Sequence, residues 1–348
     1  MQANQEDGTA EIINIFQYQA PHSWGFLFVG WWVDFNMINR VRLLLVFVGN
    51  IYSQGTSGID SLSIISDSWC QDLPRAIYAG LERVTVSNDW FWVYKLENDV
   101  FAIYEPHQWQ EVISYLILGR EKALLFDTGN GIGKISAVVN ELTSLPVFVL
   151  NSHTHFDHIG GNAEFSDILA MDTDYTRNNS GGYSNELVWE EVSEEALCGA
   201  LPDGINPATY HTPSFKVKKF ITDGYKIDLG GRILEVLSTP GHTPDAISIL
   251  DSDLGLLWVG DIYYDGPIWL FAPESDLDAY YQSVEHLCNM VPHLNTLHPA
   301  HNGPIAEPQS LYLLRKALIN IQNGTIYGNA ISGGRIEYIF EEFSLIVK

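Results

Sequence analysis

Three histidines and an aspartate fall within six residues in the stretch HTHFDH, as His153, His155, Asp157 and His158. Imidazole and carboxylate together form a donor set for Zn²⁺, and Fe or Mn also fit it. Extended backbone aims alternate residues the same way, so His153 and His155 point together. A turn after His155 brings Asp157 and His158 round to a second point about 3.5–4 Å away, the spacing of two-metal sites. The expected cofactor is therefore a pair of Zn²⁺ ions. Two such ions lower the pKa of a shared water toward about 7, which makes hydroxide available to attack a carbonyl or phosphoryl centre. Asp157 is expected both to ligate and to orient that nucleophile. The plain alternative, a surface loop that is merely rich in histidine, is set aside because matching residues recur downstream.

The elements that must position this loop are legible as patterns. PVFVL at 146–150 is a β-branched and aromatic run, a strand delivering the loop, and Gly160-Gly161 ends the turn. Upstream, WFWVYKL, VFAIY, EVISYLIL and KALLF follow one another between short polar turns, which predicts a meander. KISAVVNEL has helical spacing. Asp127 follows ALLF, where it either caps the turn or stands behind a ligand histidine and fixes its tautomer. Past Lys216, three or four strands are separated by DG, GG and DSDLG turns. SLYLLRKALINIQNG reads as an amphipathic helix stopped at Gly324, and RIEYIFEEFSLIV as a closing strand pair or an edge strand. Between the halves, 172–215 lacks strand periodicity, and ELVWEEVSEEALCGAL reads as a helix. Trp189, Leu201 and Tyr210 are its apolar contacts.

HTHFDH matches the H-x-H-x-D-H signature of the metallo-β-lactamase fold superfamily. FDTG at 126–129, GHTPD at 241–245, GD at 260–261 and His301 in HPAHNG follow that family's order, over about residues 90 to 310. The chain resembles the branch with a bridging aspartate, which holds glyoxalase II, lactonase and acyl-thioesterase relatives. The resemblance implies an α/β (α+β) fold, the four-layer αβ/βα sandwich, over 69–348, with 172–215 either a substrate-covering lid or a surface helix. It also implies that His242 joins His153 and His155 on one metal. His301, rather than its neighbour His298, joins Asp157 and His158 on the other, and Asp261 bridges both. Asp127 lies behind the site. Tyr264, three residues after Asp261, resembles a tyrosine of acyl-homoserine lactonases whose hydroxyl reaches the substrate carbonyl. The GD-x-x-Y-D-G of some acyl-thioester hydrolases has the same spacing. A packed core tyrosine is the alternative. Trp269 and Phe271, with Trp189 from the insertion, either line an acyl pocket or pack.

Charge narrows the substrate. The 348 residues carry 18 basic against 43 acidic side chains, a net of −25, which disfavours nucleic acid and anionic membranes as partners. No lysine or arginine falls between Arg232 and Arg315 or between Lys134 and Arg177, the spans that hold the motifs. Carboxylate and phosphate groups are ordinarily held by such cations. The expected reaction is therefore hydrolysis of a neutral, apolar ester, lactone or thioester, a small-molecule substrate. β-Lactamase-type amide hydrolysis and an iron-dependent redox enzyme resembling persulfide dioxygenases are the alternatives. Residues 1–68 read as an N-terminal extension with no stable membrane span. If MINRVRLLLVFVGNIYSQG from Met37 is a signal peptide, the protein is secreted or periplasmic; if it is a hydrophobic element of the fold, cytoplasmic. SQGTSGIDSLSIISDS reads as a linker. Cys70, Cys198 and Cys288 form no framework, and the sequence says nothing of oligomeric state.

Overall fold

A computed structural model describes residues 69–348. The signal-peptide and linker expectations for the N-terminal extension lie outside the described residues. The first sheet has eight strands in sequence order. β1 (Glu82–Val84), β2 (Trp92–Leu96), β3 (Val100–Tyr104), β4 (Ile113–Leu118) and β5 (Ala123–Phe126) form the antiparallel meander. β6 (Val147–Leu150), β7 (Ile168–Met171) and β8 (Lys219–Ile221) continue it in parallel. The inner strands β3, β4, β5 and β7 are buried on both faces, and their side chains alternate between two cores. Tyr115, Leu124 and Phe126 face inward. Leu116 and Leu125 face an outer layer that includes Val138 and Val139 of helix α1 (Ile135–Leu142). Truncating Leu125, wholly enclosed, costs about 2–5 kcal/mol by the usual cavity penalty.

The second sheet repeats this logic. β9 (Lys226–Asp228), β10 (Ile233–Ser238), β11 (Ile247–Asp251) and β12 (Leu256–Gly260) are antiparallel neighbours. β13 (Gly266–Leu270) leaves for a small third sheet, and β14 (Thr296–Pro299) returns parallel to β12. In β12, Leu256 and Trp258 face the first sheet. Leu257 and Val259 face helices α5 (Leu277–Cys288) and α6 (Ser310–Gln322) and the strands β13 and β17 (Phe343–Val347). β15 (Asn329–Ile331) and β16 (Arg335–Ile339) complete the third sheet, and β16 and β17 are the expected closing pair. Helix, sheet, sheet and helix make the four layers of the αβ/βα sandwich.

Strand direction decides where chemistry can gather. β5 and β6 are parallel and end in register at Phe126 and Leu150. β10 and β12 are both antiparallel to β11, and β14 is parallel to β12, so these three also share a direction. The segments that follow these five strands carry Asp127, the HTHFDH loop, His242, Asp261 and His301. Loops beyond the carboxyl ends of parallel strands form a natural crevice.

Two expectations change here. β8 pairs with β7, so the second half of the sandwich starts after β8 rather than near Lys216. ELVWEEVSEEALCGAL is not one helix. It folds as α4 (Asn185–Val188) followed by a 3₁₀ turn, Trp189–Val192. Val188, Glu191 and Val192 are buried there, while Trp189 is 47% exposed. The break between the two turns rotates the indole away from the protein.

Candidate metal centre

Helix α2 (Phe156–Ile159) begins directly after His155, and this is the turn the sequence called for. The ring atoms His153 Nε2 and His155 Nδ1 lie 2.9 Å apart, and His242 Nε2 lies 3.1 Å from the same Nδ1. Asp157 and His158 turn to a second cluster with His301. Asp157 Oδ2 is 3.3 Å from His158 Nε2 and 3.7 Å from His301 Nε2. Asp261 stands between the clusters: Oδ2 is 3.5 Å from His242 Nε2, and Oδ1 is 3.2 Å from His301 Nε2. All seven side chains named from the sequence therefore meet. His298 does not join them; it stacks on Trp258 and bonds to the Pro304 carbonyl.

Glycine precedes two of these residues for a steric reason. Gly241, before His242, has φ 136°, and a Cβ there would sit 2.2 Å from the Tyr280 backbone. Gly260, before Asp261, has φ 54° and would bring a Cβ within 2.7 Å of Ser152 Cβ. A larger residue at 260 would push the second sheet away from Ser152 at the foot of the HTHFDH loop, and one at 241 would push the His242 turn away from α5.

Each histidine has its remaining ring nitrogen engaged outside the cluster. His158 Nδ1 meets Asp127 Oδ2 at 3.0 Å, and Asp127 also accepts from Ser152 N. Asp127 thus lies where a tautomer-fixing carboxylate belongs, and it holds φ 66° there, a conformation costly for a non-glycine residue. His242 Nδ1 bonds to Trp269 O at 2.8 Å and His301 Nδ1 to Gln110 O at 2.7 Å. His153 Nδ1 contacts Ser152 Oγ, and His155 Nε2 contacts Glu274 Oε1.

These residues fit a pair of bound cations. His155 Nδ1 lies 2.9 and 3.1 Å from the His153 and His242 nitrogens, close to the roughly 3.3 Å separation of nitrogens around a tetrahedral Zn²⁺. Among the described residues, His158 Nε2 and Asp261 Oδ1 are fully enclosed and have no well-formed hydrogen-bond partner, only the other donor atoms of the clusters at 3.2–3.4 Å. Such orphaned atoms are rare unless an ion or water is their partner. Burial holds His153 well below the ordinary histidine range and pushes His242 down to about 4, so both rings are neutral and ready to ligate. Burial also opposes a charge on Asp261, but the His301 and His158 rings outweigh it and keep the carboxylate ionised.

A cavity of about 490 Å³ opens over the two clusters. Trp109, Phe156, Tyr183, Leu187, Trp269 and Phe271 give it apolar walls. The expected Trp269 and Phe271 are therefore present, but Trp189 is not; Leu187 and Glu190, three apart, face the cavity instead. Tyr264 lines it too, yet its hydroxyl donates to Pro267 O at 2.7 Å, a partner inside the protein rather than a substrate carbonyl.

Sequence reasoning missed four contributors. Gln110 donates to Asp157 Oδ2 at 3.2 Å while its carbonyl holds His301. Trp109 stacks on Trp269 with ring centres 5.3 Å apart. Glu274 backs His155. Arg75 corrects the expectation of a shell without cations: it reaches the cavity from outside both cation-free spans. Its charge is already matched by Glu111, which it grips with Nε and Nη2 at 2.6–3.0 Å. Arg177 instead pairs with Asp172 and stacks on Phe220. The segment 107–111 has no motif, and only its aromatic and amide content marks it.

The metallo-beta-lactamase superfamily model matches residues 109–325. The acyl-coenzyme A thioesterase MBLAC2 of Bos taurus is 24% identical over 217 residues, 58% of this chain and 77% of that protein. The probable metallo-hydrolase YqgX of Bacillus subtilis is 26% identical over 155 residues, 44% of this chain and 67% of that protein. Among solved structures, the sec-alkyl sulfatase PisA1 superposes with a TM-score of 0.52 at 15% identity, over 68% of this chain and 44% of that one, which is a likeness of fold. With the ordered motifs converging at one crevice, the chain is a member of the metallo-beta-lactamase superfamily, and a hydrolase by its relatives.

Proposed function

We propose that the protein is a dinuclear metal-dependent hydrolase of uncharged, apolar acyl esters or lactones and, above all, acyl thioesters. One observation carries this reading. Trp269 lines the apolar cavity with its side chain while its carbonyl holds the His242 ring, so acyl pocket and ligand cluster share one strand. The name of the Bos taurus relative favours the thioester bond within the class; its coenzyme A moiety is anionic, so the name bears on the acyl and thioester part alone. Arg75, the one arginine at the cavity among the described residues, is already paired with Glu111 and leaves little to hold a β-lactam carboxylate or a phosphodiester.

In this reading His153, His155 and His242 would hold one cation and Asp157, His158 and His301 the other, with Asp261 available to both. Bound Zn²⁺ would supply Lewis-acid activation of water and stabilisation of developing negative charge. Gln110 orients the Asp157 carboxylate, which accepts a hydrogen bond from the attacking water. Asp127 keeps the His158 proton on Nδ1, leaving Nε2 as donor. The walls of Trp109, Trp269 and Phe271 exclude water around the acyl group.

A panel of lactones, acyl thioesters, aryl esters, phosphodiesters and a chromogenic cephalosporin, run with metal content measured, tests the reading. Fastest turnover is expected on apolar acyl thioesters, with two zinc per chain. Preference for the phosphodiester or the cephalosporin would overturn it. Stoichiometric iron with oxygen uptake would replace hydrolysis by the redox alternative.

A further inference from the structure

The first part of the insertion is fastened to the ligand loop. Helix α3 (Asp174–Asn179) and the turn after it reach Thr154, the residue between His153 and His155. Asn179 Nδ2 and Tyr183 Oη both donate to the Thr154 carbonyl, at 3.1 and 2.9 Å. Thr154 Oγ1 and Thr176 Oγ1 both donate to Asp245 Oδ2, at 2.6 and 2.9 Å. One more link reaches a ring of the cluster itself. His155 Nε2 lies 2.9 Å from Glu274 Oε1, and the Tyr175 hydroxyl on α3 donates to that same oxygen at 2.9 Å.

We propose that Glu274 and Tyr175 are positioning residues for the His153–His155–His242 metal site, and that α3 is a fixed buttress of that site rather than a moving cover. The inference rests on the metal reading above. His155 turns Nδ1 toward the cluster, so its proton must sit on Nε2. A carboxylate at Nε2 fixes that tautomer and sets the ring's rotation. The Tyr175 hydroxyl occupies a second lone pair of the same oxygen and keeps the carboxylate from swinging into solvent. Asp127 does the equivalent for the other cluster through His158, so each cluster has one carboxylate-backed ring. The two differ in support: Asp127 is wholly enclosed, while the Glu274 side chain is 23% exposed on a loop and has α3 to hold it.

The test is competition of the metal-free full chain with a chromophoric chelator for Zn²⁺. Wild type should take two equivalents. Glu274→Gln should weaken one of them about 10–100-fold and leave the other within about threefold, the range for losing an outer carboxylate. Tyr175→Phe should weaken the same equivalent severalfold. Backbone amides of 173–183 should exchange more slowly on Zn²⁺ addition in wild type, and Glu274→Gln should blunt that slowing. If Glu274→Gln does not fold, Tyr175→Phe decides. Folded variants that bind both equivalents with wild-type affinity would overturn the buttress while leaving the metal reading intact. A wild-type chain that takes up no metal would overturn both.

Discussion

Glu191 accepts a hydrogen bond from the indole of Trp109, Nε1 to Oε2 at 3.0 Å, and Gln108 Nε2 donates to the same oxygen. A carboxyl on the insertion thus fixes the indole that stacks on Trp269, at the wall of the cavity. Burial pushes the Glu191 carboxyl from 4.5 up to about 8. Below about pH 4.5 it is protonated in folded and unfolded chains alike, and pH has no effect through it. Between about 4.5 and 8 the unfolded chain releases the proton while the folded chain keeps it, so stability falls as pH rises. Glu191→Gln keeps the acceptor oxygen and removes the titration. We expect its melting temperature to equal wild type near pH 4.5 and to exceed it at pH 8, by no more than a few kcal/mol in stability. Parallel melting curves across that range would rule this out.

Asp261 offers one oxygen to each cluster, and an amide has only one carbonyl oxygen to give. Asp261→Asn should therefore lose at least one equivalent of bound metal and abolish turnover, as should Asp157→Ala and His155→Ala. Metal analysis on folded variants reads this directly. Full occupancy with normal turnover in Asp261→Asn would show that the carboxylate does not bridge.

Tyr264 carries a different expectation from the one its spacing invites. Its hydroxyl holds Pro267, at the start of the strand that supplies Trp269. Tyr264→Phe should cost about 1 kcal/mol of stability, the worth of one hydrogen bond. It should change kcat/KM by no more than about threefold. A loss of about 3 kcal/mol in transition-state binding, the size of one oxyanion donor, would return the phenol to the chemistry.

How much was legible depends on where each contact lies along the chain. The ligand histidines share one short loop, and the glycines that let His242 and Asp261 approach leave their own mark in sequence. The meander was readable because its strands alternate between two apolar cores. Glu274, Gln110 and Arg75 act across 119, 47 and 36 residues of separation, to His155, Asp157 and Glu111. Each lies in a segment without periodicity, and only the fold brings them to the site. Trp189 was misplaced because a helical pattern does not reveal a break between two short turns.

Phe271 offers the sharpest test of the acyl pocket. Its ring packs 5.3 Å from Trp269 on one side and lies under the Arg335 guanidinium at 4.8 Å on the other. Phe271→Ala shortens that wall without touching any residue of the two clusters. Each methylene buried in an apolar pocket contributes about 0.8 kcal/mol, or roughly fourfold in affinity. The variant should therefore shift its kcat/KM optimum toward longer acyl chains and lose ground on short ones, with metal content unchanged. Chain-length profiles for a series of straight-chain acyl thioesters would show this. A uniform drop at every length would mean that Phe271 packs the fold and does not measure the substrate.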